Sequence, residues 1–148
     1  MSNKLQETLS ALQRQDYSTK AGRDAHLKMQ QITIDGPTVR GDTGLCAQIL
    51  SRPELIPFFA TTAQTEVPIA GYLNKQFVSR RIDRMIINNA DKTVKILDYK
   101  TDINKLMFRD KYFNQLSEYT RLLSEIYPSY KISAYILWLH DFELEQLI

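Results

Sequence analysis

Two short strand-like stretches place ionisable side chains within otherwise apolar sequence. The stretch 81–84 (RIDR) carries Asp83, and the stretch 96–100 (ILDYK) carries Asp98 two residues before Lys100. Side chains two positions apart on a strand project from the same face, so Asp98 and Lys100 are predicted to point together. A hairpin that brought Asp83 beside this pair would have the groups needed to hold a divalent cation next to a phosphodiester bond.

The composition is that of an ordinary globular protein. Of the 148 residues, 43% are hydrophobic and 24% are charged, which predicts one domain with a substantial core. The formal net charge of +2 is too small to indicate nucleic-acid binding by itself, so a binding face would have to come from local patches. Cys46 is the only cysteine, which excludes an internal disulfide and favours a cytoplasmic location.

Three kinds of segment are not found in the sequence. It has no apolar run of transmembrane length, no apolar core of a signal peptide and no GxxxxGK[ST] phosphate loop. We therefore expect no membrane association and no ATP-driven motor within these residues.

Apolar periodicity predicts helices first and then mostly strands. Leu5, Leu9 and Leu12 form a narrow helical stripe, so residues 1–18 are predicted as a docking helix or linker that precedes a folded domain at 19–148. Further helices are predicted at 19–34, 44–51 and 108–127. Strands are predicted at 63–70, 76–87, 93–101, 131–139 and 142–148. This order predicts an α/β fold with a mixed central β-sheet flanked by helices.

The strands at 76–87 and 93–101 are apolar on both faces. They are joined by the Asn- and Asp-rich turn 88–92, so we predict a central hairpin covered by helices on both sides. Strict alternation along the first strand predicts one face with Phe77, Asp83, Met85 and Ile87, and another with Val78, Ile82 and Ile86. In the second strand, alternation places Val94, Ile96, Asp98 and Lys100 opposite Leu97 and Tyr99.

Four blocks of the chain, taken in order, resemble the motifs of the RecB-type nuclease domains of the PD-(D/E)XK superfamily. GRDAH (22–26) is similar to G-x-x-x-H, RRID (80–83) to G-x-x-D, DYK (98–100) to D-x-K, and QLSEY (115–119) to Q-x-x-x-Y. EVPIAG (66–71) and AYILW (134–138) are also similar to the C-terminal nuclease domains of AddA helicase-nucleases. The chain departs from the pattern at Arg80, which stands where the G-x-x-D motif has glycine.

The resemblance implies a restriction-endonuclease-like (PD-(D/E)XK) core and a deoxyribonuclease that depends on Mg²⁺ or Mn²⁺. The metal ligands that it implies are His26, Asp83, Asp98 and the backbone carbonyl of Tyr99. The catalytic residues that it implies are Asp83, Asp98, Lys100, Gln115 and Tyr119. Lys100 would activate the attacking water and stabilise the transition state. DNA would be the substrate of an exonuclease in double-strand-break repair, with a helicase or an AddB-like subunit as a further partner.

Non-catalytic interpretations stay open from the sequence alone. The replaced glycine and the missing helicase favour a nuclease-like module that binds DNA or a partner without cutting. A weaker alternative is an interaction module that docks through its N-terminal leucine stripe. His26 would then be a packed or solvent-facing histidine, and Gln115 and Tyr119 an ordinary pair on a helix surface.

The arginines around Asp83 also have two interpretations. Arg80, Arg81 and Arg84 form either a phosphate-contacting cluster or a solvated strand edge. Alternation predicts that Arg81 shares the face of Asp83 and that Arg80 and Arg84 point away from it.

Overall fold

The computed structural model describes residues 20–148, and the predicted docking helix or linker at 1–18 lies outside the described residues. Within 20–148 the helices are α1 (Lys20–Gln30), α2 (Thr43–Leu50), α3 (Ile56–Phe59) and α4 (Lys105–Ile126). The strands are β1 (Thr33–Asp35), β2 (Thr38–Arg40), β3 (Gln64–Leu73), β4 (Gln76–Asn88), β5 (Thr93–Lys100), β6 (Lys131–Trp138) and β7 (Glu143–Gln146). None of these helices is both long and apolar enough to cross a membrane.

Five strands form a mixed sheet in the order β3-β4-β5-β6-β7. Only β5 and β6 pair in parallel among these strands, and the other neighbours are antiparallel. Parallel neighbours need a crossover connection, and α4 provides it between β5 and β6. The predicted α/β fold with a mixed central sheet flanked by helices is therefore confirmed.

Each face of the sheet buries its own apolar cluster. The α4-side core consists of Ile69, Leu73, Ile82, Met85, Val94, Ile96, Tyr112, Leu116, Tyr119, Leu122, Leu123, Ala134, Ile136 and Trp138. The α1-side core consists of Met29, Ile32, Ile34, Cys46, Ile49, Leu55, Phe58, Phe59, Leu97, Tyr99, Leu137 and Phe142. Alternate residues of β5 enter the two clusters, which confirms the predicted faces of this strand and makes it the centre of the fold.

The predicted helix at 19–34 is wrong in its second half. The helix ends at Gln30, and β1 and β2 form a short antiparallel hairpin after it. The two residues between the strands are Gly36 and Pro37, and the φ of 56° at Gly36 suits glycine at the first central position of a two-residue hairpin turn. The other predicted helices and strands agree with the structure to within three residues at each end, and α3 was not predicted.

The alternation of β4 changes phase at Asp83. Residues of β4 on both sides of this position pack with the α4-side core: Val78, Ile82, Met85 and Ile87. Ile82 and Met85 are three positions apart, so an uninterrupted strand would place them on opposite faces. Glu66 lies across from Asp83 in the β3–β4 register and has a φ of 52°, which marks the same break on the neighbouring strand.

The phase change overturns the predicted faces of β4. The grouping of Asp83 and Phe77 with Met85 and Ile87 is wrong, because it assumed an unbroken pleat. The grouping of Ile86 with Val78 and Ile82 is wrong for the same reason, since Ile86 packs with the α1-side core. The prediction that Arg80 and Arg84 share a face is also wrong: Arg80 pairs with a residue of α4, and Arg84 is buried against α1 and α3 on the other side.

Gly41 follows the small hairpin and offers a test of this region. Its φ is 112°, and an added Cβ would lie 2.9 Å from Cγ1 of the fully buried Ile32. Gly41→Ala is therefore expected to lower the free energy of unfolding by about 2 kcal/mol or more. Gly36→Ala is the matched control, because its Cβ would meet nothing within 4 Å and only the cost of its positive φ, about 1 kcal/mol, would appear. Equal losses in urea unfolding would contradict the expected contact with Ile32.

Candidate active site

Strands β4 and β5 separate at the position of Asp83. Their paired register ends at Arg84 and Leu97, and beyond this point the Asp83 carboxylate accepts a hydrogen bond of 2.8 Å from the backbone N–H of Tyr99. A side chain thus replaces a backbone acceptor and is fixed against the neighbouring strand. Asp83 is 4% exposed and Asp98 is 6% exposed, so the two carboxylates are buried where the strands part.

The two carboxylates interact directly. Burial raises the pKa of Asp83 well above its usual range, and the Asp98 carboxylate raises it further by repulsion, while the Tyr99 N–H and Lys100 act in the opposite direction. Two neighbouring buried carboxylates repel each other when both are ionised, and Lys100 offsets only part of this effect at Asp83. The metal-free site therefore favours the protonated form of Asp83 more than water does.

Lys100 lies beside this pair, on the side of α4. Its Nζ is 2.8 Å from Oδ2 of Asp98 and 4.2 Å from the centre of the Tyr112 ring. The Tyr112 hydroxyl in turn donates a hydrogen bond to Asp102. Sequence reasoning missed Tyr112 and Asp102, because nothing in the pattern distinguishes Tyr112 from the other aromatic residues of α4. The ammonium is positioned by a carboxylate on one side and by an aromatic face on the other.

His26 approaches from α1. Its Nδ1 is 3.0 Å from the carbonyl oxygen of Gly22, which can only accept, so Nδ1 carries a proton. Its Nε2 lies 3.7 Å from Oδ2 of Asp83. The ring also packs edge-on against Tyr99, with centroids 5.6 Å apart. The second ring nitrogen of His26 is therefore held close to the buried Asp83 carboxylate.

Gln115 and Tyr119 face the same region from α4. Gln115 donates a 2.8 Å hydrogen bond from Nε2 to the Tyr119 hydroxyl, and its own Oε1 is buried without a hydrogen-bond partner. Burial raises the pKa of Tyr119, and the negative charge of Asp98 adds to this shift. The alternative of an ordinary pair on a helix surface is wrong, because both side chains are buried.

Arg84 anchors α1 to the sheet. It is 1% exposed, and it donates from Nη2 to the carbonyl oxygens of Met29 (2.7 Å) and Ile32 (2.8 Å), next to the end of α1. Its Nε donates to the Tyr99 hydroxyl at 2.7 Å, and its guanidinium lies 4.4 Å from the centre of the Phe59 ring. Neither a phosphate-contacting role nor a solvated edge fits a side chain enclosed in this way. Arg84 instead positions the helix that carries His26.

The other two arginines lie nearer the surface. Arg80 forms an ion pair with Glu118 of α4 at 3.1 Å. Arg81 is largely exposed, and its Nη1 is 3.5 Å from Oε2 of Glu66. The three arginines therefore do not form one cluster.

The side chains have the chemistry of a divalent-cation site but do not form a finished one. Over residues 20–148, no three His, Cys, Asp or Glu side chains are grouped as they would be around an ion. Lys100 lies close to Oδ2 of Asp98, yet this buried oxygen accepts no hydrogen bond of good geometry. Two buried carboxylates and an imidazole nitrogen are ligand types that suit Mg²⁺ or, with the nitrogen ligand, Mn²⁺. The donor set of His26, Asp83 and Asp98 therefore fits such an ion.

Comparisons with known proteins do not assign the chain to a family. No protein-family model matches it, and no curated protein matches it. Among solved structures, it is similar to one described as the crystal structure of SSO0001, with a TM-score of 0.47 and 16% sequence identity. The match covers 95% of this chain and 56% of the other, so the chain spans just over half the length of that protein.

Proposed function

We propose that this chain is a metal-dependent deoxyribonuclease domain with a restriction-endonuclease-like core, of the RecB type in the PD-(D/E)XK superfamily. The observation that carries the proposal is the meeting of Asp83, Asp98 and Lys100 in one buried place where two central strands separate. His26 reaches this place from one side of the sheet, and Gln115 reaches it from α4 on the other. The order of these residues along the chain is also the order of the motifs that the sequence resembles.

Each residue has a role that follows from its position. A Mg²⁺ or Mn²⁺ ion held by His26, Asp83, Asp98 and the Tyr99 carbonyl would polarise the phosphate and lower the pKa of a bound water. Lys100, next to Asp98, orients the attacking water and places positive charge where the transition state gains negative charge.

Gln115 and Tyr119 complete the proposed site from α4. Their hydrogen bond to each other fixes both side chains on the wall beside Asp98. From there they hold the acidic residues or the DNA strand in place. The substrate class is DNA ends, cut exonucleolytically in recombinational repair, with a helicase or AddB-like subunit as the partner that would feed the strand.

A cleavage assay with matched lysine variants tests the proposal. End-labelled single- and double-stranded DNA is incubated with Mg²⁺, Mn²⁺ or EDTA, and we expect cutting only with a metal. Lys100→Met is expected to lower the rate by about 10²-fold or more, because it removes a positive charge aimed at the transition state. Lys95→Met on the same strand is the control, because Lys95 is exposed and its loss is expected to leave the rate unchanged.

The second candidate function is a nuclease-like module that binds DNA or a protein partner without cutting. Arg80 in place of the motif glycine, and its ion pair with Glu118, favour this alternative. Folded wild-type protein that binds DNA, cuts in neither metal and takes up no metal in calorimetry would overturn the proposed nuclease and leave this module. Equal cleavage by the wild type and Lys100→Met would instead exclude the proposed site.

A further inference from the structure

Arg80 and Glu118 form a two-pronged ion pair between β4 and α4. Nε of Arg80 is 3.3 Å from Oε2 of Glu118, and Nη2 is 3.1 Å from Oε1. The Arg80 side chain is 29% exposed and the Glu118 side chain is 25% exposed, so the pair lies near the surface, where β4 and α4 meet. A planar guanidinium fork that fits a carboxylate in this way also fits two oxygens of a phosphate.

The fork lies on the same side of the sheet as Lys100. Arg80 shares the face of Val78 and Ile82, which pack toward α4, and it pairs there with Glu118, the residue directly before Tyr119. Tyr119 accepts the hydrogen bond from Gln115 of the candidate site, and Arg80 lies three residues before Asp83 on β4. Arg80 is therefore at the α4-side rim of the candidate site, and its charge is partly open to solvent.

A nucleic-acid strand needs positive charge at this rim. Asp83 and Asp98 repel a polyanion, and Lys100 is buried in the centre next to Asp98. A partly exposed ion pair contributes little to stability, since solvent screens it, so holding β4 and α4 together is a weak reason for this arrangement. Phosphate contacts from arginine, in contrast, fix the register of a strand on a protein surface.

We propose that Arg80 forms a phosphate-binding subsite for a nucleic-acid strand, and that Glu118 holds the guanidinium in place until a backbone phosphate displaces it. The subsite rests on the proposed function, because the strand that it binds is the substrate of the proposed nuclease. It gives the arginine that replaces the motif glycine a role in substrate binding, separate from metal binding and from the chemical step.

Binding of single-stranded DNA, measured in EDTA at several salt concentrations, tests the subsite without any cleavage. Arg80→Ala is expected to weaken binding by about tenfold and to reduce the salt slope by about one charge. Arg80→Lys should keep most of the slope, because it keeps the charge without the fork. Glu118→Gln should tighten binding, because the phosphate then has a weaker competitor. In cleavage assays, Arg80→Ala should raise KM and leave kcat unchanged.

The control is Lys131→Ala, at the other end of β5 and β6. Lys131 pairs with Thr93, five residues and roughly 17 Å along the strand from Asp98, so its loss should change neither affinity nor slope. Unchanged binding by Arg80→Ala and Glu118→Gln would overturn the subsite in favour of a packing contact. Faster cutting by Arg80→Ala would show that Arg80 obstructs the site, which also overturns it.

Two further outcomes separate the subsite from other possibilities. Inorganic phosphate could compete with DNA for the wild type but not for Arg80→Ala, while the DNA salt slope is the same in both proteins. This result would indicate a site for free phosphate and would overturn the assignment to a nucleic-acid strand. A wild-type protein that never cuts, but whose salt slope falls in Arg80→Ala, would sustain the subsite while the proposed nuclease activity fails.

Discussion

Asp83→Asn is expected to abolish metal-dependent cleavage and, at neutral pH, to make the metal-free protein harder to unfold. If Asp83 is the metal ligand that we propose, its loss removes several kcal/mol of transition-state stabilisation, which is a rate loss of about 10³-fold or more. The asparagine keeps an oxygen that can accept from the Tyr99 N–H, so the contact between the strands is retained. It also removes the charge that repels Asp98.

The direction of the pH dependence follows from the raised pKa of Asp83, caused first by burial and then by Asp98. A carboxyl whose pKa is higher in the folded state stabilises that state while it is protonated, and this contribution is lost as the pH rises through the raised value. The loss begins above the ordinary carboxyl pKa of about 3.9. In EDTA, the wild type should therefore lose stability relative to Asp83→Asn as the pH rises from that value through the raised pKa of Asp83.

Thermal unfolding of both proteins, with EDTA and then with Mg²⁺ or Mn²⁺, measures this effect. Metal at about 100 times its Kd should stabilise the wild type by about 2.7 kcal/mol and the variant much less. The groups that face Asp83 are His26, Asp98 and Lys100, and they are unchanged in both proteins. Asp24→Asn controls for the lost charge, since Asp24 is exposed in α1. A metal-free Asp83→Asn that is less stable than the wild type at pH 8 would contradict the expectation.

Arg84→Met is expected to lower the free energy of unfolding by about 3 to 5 kcal/mol. Methionine keeps part of the apolar stem, but the carbonyls of Met29 and Ile32 and the Tyr99 hydroxyl lose their buried donor. Each such group then carries an uncompensated cost of burial, and the end of α1 loses its attachment. The affinity for Mn²⁺ should fall as well, because His26 is carried by this helix.

Urea unfolding and metal calorimetry on the same samples measure both effects of Arg84. Arg84→Lys is the comparison, because it keeps the charge but cannot donate in several directions from one plane. It should lie between the wild type and the methionine variant in stability. A loss of less than about 1 kcal/mol in Arg84→Met would mean that the carbonyls find other donors, and it would refute the anchoring role.

The sequence was sufficient to predict which face of the sheet a side chain occupies wherever the alternation along a strand is unbroken. The alternation of β5 correctly assigned Ile96 and Leu97 to opposite cores, and it brought Asp98 and Lys100 to one face. The roles of His26, Gln115 and the other candidate site residues stay predictions, although the structure brings these side chains to one region.

The sequence was insufficient where the backbone departs from a regular period. Glu66 adopts a positive φ although it is not a glycine, so the sequence pattern of β3 does not indicate the phase change in β4 opposite it. The burial of Arg84 depends on segments far away in the chain, and no local pattern reports on them. The predicted directions of Arg80 and Arg84, like the other predicted faces of β4, therefore failed.

The anchoring of α1 by Arg84 also has a consequence for the order of folding. The β4–β5 hairpin closes a turn of four residues between Asn88 and Thr93, whereas the carbonyls that Arg84 binds lie 52 and 55 residues earlier in the chain. Closing the longer loop costs more entropy, so the hairpin and its acidic pair are expected to form first. His26 would then be the last of the candidate ligands to reach its position.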